Sequence, residues 1–152
     1  MGAEARLKEL GITLPEPSKP IANYVRAVRV GNLLFLAGHG PQRGGQALTR
    51  GKLGKDLSVE EGYQVARQVG VNLLASARDA LASLDKVKRV VKVLGMVASA
   101  DGFGDQPKVI NGFSDLMVEV FGEAGRHARS AVGMAELPMG IPVEIEMILE
   151  VE

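Results

Sequence analysis

The chain has 152 residues, with 18 basic side chains balancing 18 acidic ones, 46% hydrophobic residues, 4% aromatic residues and no cysteine. That length suits a single domain, and a net charge of zero provides no basic field to recruit phosphate backbones or anionic lipid. The missing thiols exclude disulfide scaffolds, thiolate zinc sites and cysteine nucleophiles, and scarce aromatics disfavour a binder of single-stranded nucleic acid.

The opening MGAEARLKEL mixes charges into every apolar stretch, so it reads as neither a signal peptide nor an anchor, and a cytoplasmic protein is expected. Arg6 stands where a myristoylation signal needs Ser or Thr. Ala3 to Leu10 suits a short helix closed by Gly11 and followed by the extended LPEPSKP, so residues 1–19 read as an arm. Tyr24 to Val30 and Leu33 to Ala37 read as a hairpin turned by Gly31 and Asn32. Gly38 to Gly54 lacks either period and is expected to be a long loop.

Ser58 and Glu61 make a capping box. Ala66, Val69, Leu73, Ala77, Leu81 and Leu84 then predict one apolar stripe on a helix of about seven turns. Val87 to Ala100 is rich in β-branched residues and predicts a strand. Pro107 opens a second helix, with Val109, Ile110, Phe113, Leu116, Met117, Val120 and Phe121 on its apolar face and Gly122 as its stop. Ala128 to Ala135 and Val143 to Val151 complete a ββαβαββ order. The expected fold class is α+β, a two-layer domain with a mixed sheet and two helices on one face. The other face needs a partner.

In the last strand Val143, Ile145, Met147, Leu149 and Val151 alternate with Glu144, Glu146, Glu150 and Glu152, so the carboxylates are expected to face away from the helices. Val132 and Met134 take the apolar parity of the preceding strand, which places Arg129, Ala131 and Gly133 on the side of Glu144. Arg129 there is either a partner in a plain ion pair or a planar fork for a ligand carboxylate.

The stretch HARSAVGMAELPMGIPVEIEMI resembles the signature of the RidA/YjgF family, as do Tyr24 ahead of AVRVGNLLFLAGHGP and Asn111 in the second helix. The resemblance covers residues 20–152 and is that of a divergent branch. It implies a chorismate-mutase-like fold and a homotrimer. In each cleft between subunits, 2-imino or 2-enamino acids would be hydrolysed to 2-keto acids and ammonia, without a cofactor. By the same resemblance Arg129 would bind the substrate carboxylate and Glu144 would hold the attacking water. Tyr24, Gly38 and Asn111 would border the substrate, with His39 where many members carry Gln and Ala131 where Cys is common. The arm and the loop 42–54 are expected to tune specificity or partners.

His39 is open to two readings, an acid or base near neutrality or a hydrogen-bonding structural residue. His127 reads as structural or exposed. Two distant histidines without an HExxH pattern give no metal site, and GGQALTRGKLGK departs from a phosphate loop in spacing and in Leu53 after Lys52. Two further functions stay open. One is a ligand-binding or regulatory trimer without catalysis. The other, with little support from a neutral chain, is an endoribonuclease using Arg43, Arg50, Lys52 and Lys55.

Overall fold

A computed structural model describes all 152 residues. A short helix α1 (Ala3–Glu9) precedes the hairpin β1 (Ala27–Val30) and β2 (Leu33–His39). After a small hairpin β3 (Gln42–Arg43) and β4 (Gln46–Ala47) come α2 (Val59–Leu81), β5 (Val87–Ala98), α3 (Gln106–Phe121), β6 (Ala128–Met134) and β7 (Val143–Val151). The main sheet runs β1-β2-β7-β5-β6. Only β5 and β6 are parallel, as the α3 crossover between them requires. The fold is therefore α+β, a mixed five-stranded sheet with its long helices on one side.

The capping box forms: Glu61 N donates to Ser58 Oγ and Ser58 N to Glu61 Oε1, each at 3.1 Å. α2 ends earlier than its apolar stripe, because Ala82 takes a left-handed φ of 68°. Leu84 is still buried, but from a separate 3-10 turn. α3 carries Pro107 in its first turn and stops at Gly122 with a φ of 63°. The alternation of β7 places Val143, Ile145, Met147, Leu149 and Val151 in the core.

Four expectations need correction. The segment Gly38 to Gly54 is not structureless: Gly44 and Gly45, both at positive φ, turn the β3–β4 hairpin, and Leu53 is fully buried through bonds with Ala98 and Ala100. The first strand starts only at Ala27; a bond from Ala37 N to Arg26 O extends the ladder one step, and Tyr24 lies outside it. The arm's helix is tied to the body by Arg6 Nε bonding Glu119 O at 2.9 Å and Leu84 N bonding Glu4 Oε1 at 3.0 Å. Finally, the facing of β6 is opposite to expectation. Gly95 of β5 pairs with both Ile145 and Ala131, and Met96 with both Glu144 and Val132. Ile145 is core, so Ala131, and with it Arg129 and Gly133, faces the helices, while Val132 shares the open face with Glu144. The apolar parity misled because the open face is itself apolar: Val28, Phe35 and Val132 are 50%, 39% and 38% exposed. No helix is long and apolar enough to cross a membrane.

Candidate functional site

Within one chain the expected site residues other than His39 fall into two groups on opposite faces of the sheet. Arg129 and Glu144 do not share a face, contrary to the reading from strand parity.

The first group lies where the β6 edge meets α3. Arg129 Nη1 donates to Ser114 Oγ at 3.1 Å and Nη2 to Pro107 O at 3.2 Å. Asn111 stands between these two residues on the same helical stripe, since positions three and four apart are neighbours on a helix. Ala131 follows Arg129 on the same side of β6 and packs against the core. Arg129 takes part in no ion pair, so its charge is available to an anion. Ser114, which the sequence reading did not single out, also bonds His127 Nε2 at 2.9 Å, and His127 Nδ1 lies 2.7 Å from Gly125 O. Burial, with Arg129 nearby, lowers the His127 pKa.

The second group lies on the open face. Glu144 rises from β7 beside Gly38 of β2, where any side chain would collide with the Glu144 carboxylate. A side chain there would require the flexible Glu144 carboxylate to shift. Burial raises the Glu144 pKa, the neighbouring Glu146 adds to the rise, and Arg26 opposes it. A carboxyl group moved toward neutrality is suited to exchanging protons with water. Arg26 reaches Gly38 O at 3.4 Å and Lys19 O at 3.1 Å, and its guanidinium lies 5.6 Å from the centre of the half-exposed Tyr24 ring. Arg26 Nε is buried without a partner. The sequence signal for Arg26 was only its position two residues after Tyr24. Beside this group an apolar hollow of about 470 Å³ is floored by Phe35, Leu94 and Ile148.

His39 belongs to neither group. It turns inward, 3% exposed, with Nδ1 2.6 Å from Ala37 O and Nε2 2.7 Å from Ser76 Oγ of α2. Burial pushes its pKa down to about 4. Of its two readings, this placement fits the structural one. In the loop 42–54 and its neighbours, Arg50 bonds Met139 O and Lys52 pairs with Glu136 at 3.0 Å, which fastens two of the four loop cations to the turn between β6 and β7.

Residues 4–147 match the family described as "YjgF/chorismate_mutase-like, putative endoribonuclease". The chain is 44% identical to Protein TCP17 of Trypanosoma cruzi, over 96% of this chain and 92% of that one. It is 35% identical to a 2-iminobutanoate/2-iminopropanoate deaminase of Dermatophagoides farinae, over 93% and 95%. A crystal structure of Atu1372 from Agrobacterium tumefaciens, a protein of unknown function, superposes with a TM-score of 0.90 at 46% identity, covering 99% of this chain and 93% of that one. With matching motifs, fold and relatives over nearly its whole length, the chain belongs to the RidA/YjgF family.

Proposed function

We propose that the chain is a cytoplasmic imine and enamine deaminase that works as a homotrimer, with its reaction in clefts between copies. The observation that carries this reading is the separation of two complementary groups, an anion-ready Arg129 with Asn111 and Ala131, and Glu144 with Gly38 and Tyr24, on opposite faces of one sheet. A cleft in which the β6 edge of one copy meets the open face of the next would bring both to one substrate. The exposed Val28, Phe35 and Val132 give such a contact apolar area to bury. The deaminase among the relatives supports the chemistry.

In this reading the Arg129 fork takes the substrate carboxylate, a charge-assisted contact. Glu144 accepts a proton from water as its oxygen adds to the carbon of the C=N bond. The resulting carbinolamine collapses when its nitrogen is protonated and leaves as ammonia, giving the 2-keto acid. An enamine enters the same route after protonation at its β-carbon.

The test generates 2-imino acids in situ from amino acids with an oxidase and follows keto-acid release. Arg129→Ala is expected to weaken substrate binding roughly ten- to hundredfold, while Glu144→Gln lowers the rate of hydrolysis and keeps binding. A wild type that accelerates hydrolysis of no imine would leave the ligand-binding reading, and a monomer in sedimentation at micromolar concentration would remove the cleft.

A further inference from the structure

We propose that Ser114 and His127 form a positioning relay that fixes the Arg129 guanidinium in the orientation that receives a carboxylate, an inference that rests on Arg129 being the carboxylate anchor.

The direction of the relay follows from which groups can donate. Gly125 O can only accept, so His127 Nδ1, 2.7 Å away, carries the hydrogen. Burial and the adjacent guanidinium lower its pKa against the opposing Gly125 bond, and in the neutral ring with its hydrogen on Nδ1 the Nε2 atom is a bare acceptor. Ser114 Oγ, 2.9 Å from Nε2, must direct its only proton there. Its lone pairs are left to face Arg129 Nη1 at 3.1 Å. A serine alone could rotate its hydroxyl hydrogen toward any acceptor; the imidazole takes that freedom away and keeps an acceptor aimed at the arginine.

The ring itself is immobilised. It meets Phe113 edge-on, with centroids 5.8 Å apart and planes at 68°, and Phe113 is fully buried. Pro107 O takes a hydrogen from Nη2 at 3.2 Å. Two of the five guanidinium N–H groups are thus held by the protein, which leaves three for a ligand. Arginine has a long stem with many rotamers, and ordering it before binding removes that cost from the binding step. The charged group facing His127 is Arg129, two residues on in β6, while α3 presents the neutral Ser114 and Phe113.

The experiment measures binding of 2-oxobutanoate and of its uncharged amide by calorimetry, together with KM and kcat for imine hydrolysis, in Ser114→Ala, Ser114→Thr, His127→Phe, His127→Gln and Arg129→Ala. Thermal unfolding serves as the control for folding. Ser114→Ala and His127→Phe are expected to weaken acid binding and raise KM roughly three- to tenfold, with kcat and amide binding unchanged. Ser114→Thr, which keeps the hydroxyl, and His127→Gln, whose Oε1 can replace Nε2 as acceptor, restore it. Imidazole ¹⁵N shifts should report His127 as the Nδ1–H tautomer. Acid affinity that falls in Arg129→Ala but stays within about twofold in both relay variants overturns the relay alone, as does an Nε2–H tautomer. Acid affinity unchanged in Arg129→Ala overturns the anchor reading and the relay with it.

Discussion

The molecule contains the same small device twice. His39 and His127 each bond, through Nδ1, the carbonyl two residues earlier, and each meets through Nε2 a serine of a long helix, Ser76 in one case and Ser114 in the other. The difference is where the serine leads. Ser76 is 3% exposed and its hydroxyl bonds only the His39 ring. The hydroxyl of Ser114 passes on to a guanidinium with no ion-pair partner. On the proposed reading, the same local geometry is structural where it ends in the core and functional where it ends on a guanidinium without an ion-pair partner.

The largest expected separation between the two pairs is in acid. With a pKa near 6.5 in the unfolded chain and about 4 in the folded one, His39 binds more proton unfolded. Its contribution is complete above pH 6.5 and is lost as pH falls through that window to 4. The loss amounts to roughly 3 kcal/mol. Burial lowers the His127 pKa as well, so it acts in the same direction. Denaturant titrations from pH 8 to 3.5 should show His39→Gln losing most of the slope of the wild type below pH 6.5. A variant as acid-sensitive as the wild type would refute this account of His39.

A smaller effect tests the contrast directly. Ser76→Ala leaves the buried His39 Nε2 without a hydrogen-bond partner, and should cost about 1 to 3 kcal/mol, with 2-oxobutanoate affinity intact. Ser114→Ala, at a half-exposed site, should cost less stability and more affinity. If both alanine variants lose stability alone, the two pairs are the same after all. The smallest effect calibrates the scale: Ser58→Ala removes the cap of α2 at about 1 kcal/mol, seen as a lower denaturation midpoint without change in ligand binding. A cap variant that weakened binding would mean that helix fraying reaches the site, and the serine comparison would lose its reference.

The helices and β7 were legible in the sequence because a single physical demand governs each. Ser58 and Glu61 can hardly do anything but cap, and the Val143 to Val151 alternation has only one apolar side. The facing of β6 was not legible, because that demand is divided there: Val132 and Met134 are apolar, yet the open face also favours apolar groups, so hydrophobicity does not distinguish the two sides. β5 contained the missing information, since Gly95 aligns Ala131 with Ile145, but pairing register across a parallel crossover is invisible in a linear pattern. Ser114 was missed for a related reason. It lies between Phe113 and Leu116 on an amphipathic helix, and only the fold brings Arg129 and His127 to it. Leu53 belonged to a segment without periodicity, and its burial depends on β5, more than thirty residues away in the chain (from 53 to 98).

The fastening of α1 has a consequence for the order in which the molecule is made. Its anchoring bonds join residues separated by 80, 81, 74 and 113 positions: Glu4 with Leu84, Asp85 and Arg78, and Arg6 with Glu119. The helix is synthesised before all of these partners, and its last anchor does not exist until α3 has been made. Seven residues are too short to hold a helix in isolation. Ala3 and Leu7 therefore stay uncovered until α3 has been made and close onto the body late, so pulse-labelled hydrogen exchange during synthesis should find the amides of α1 protected after those of α2.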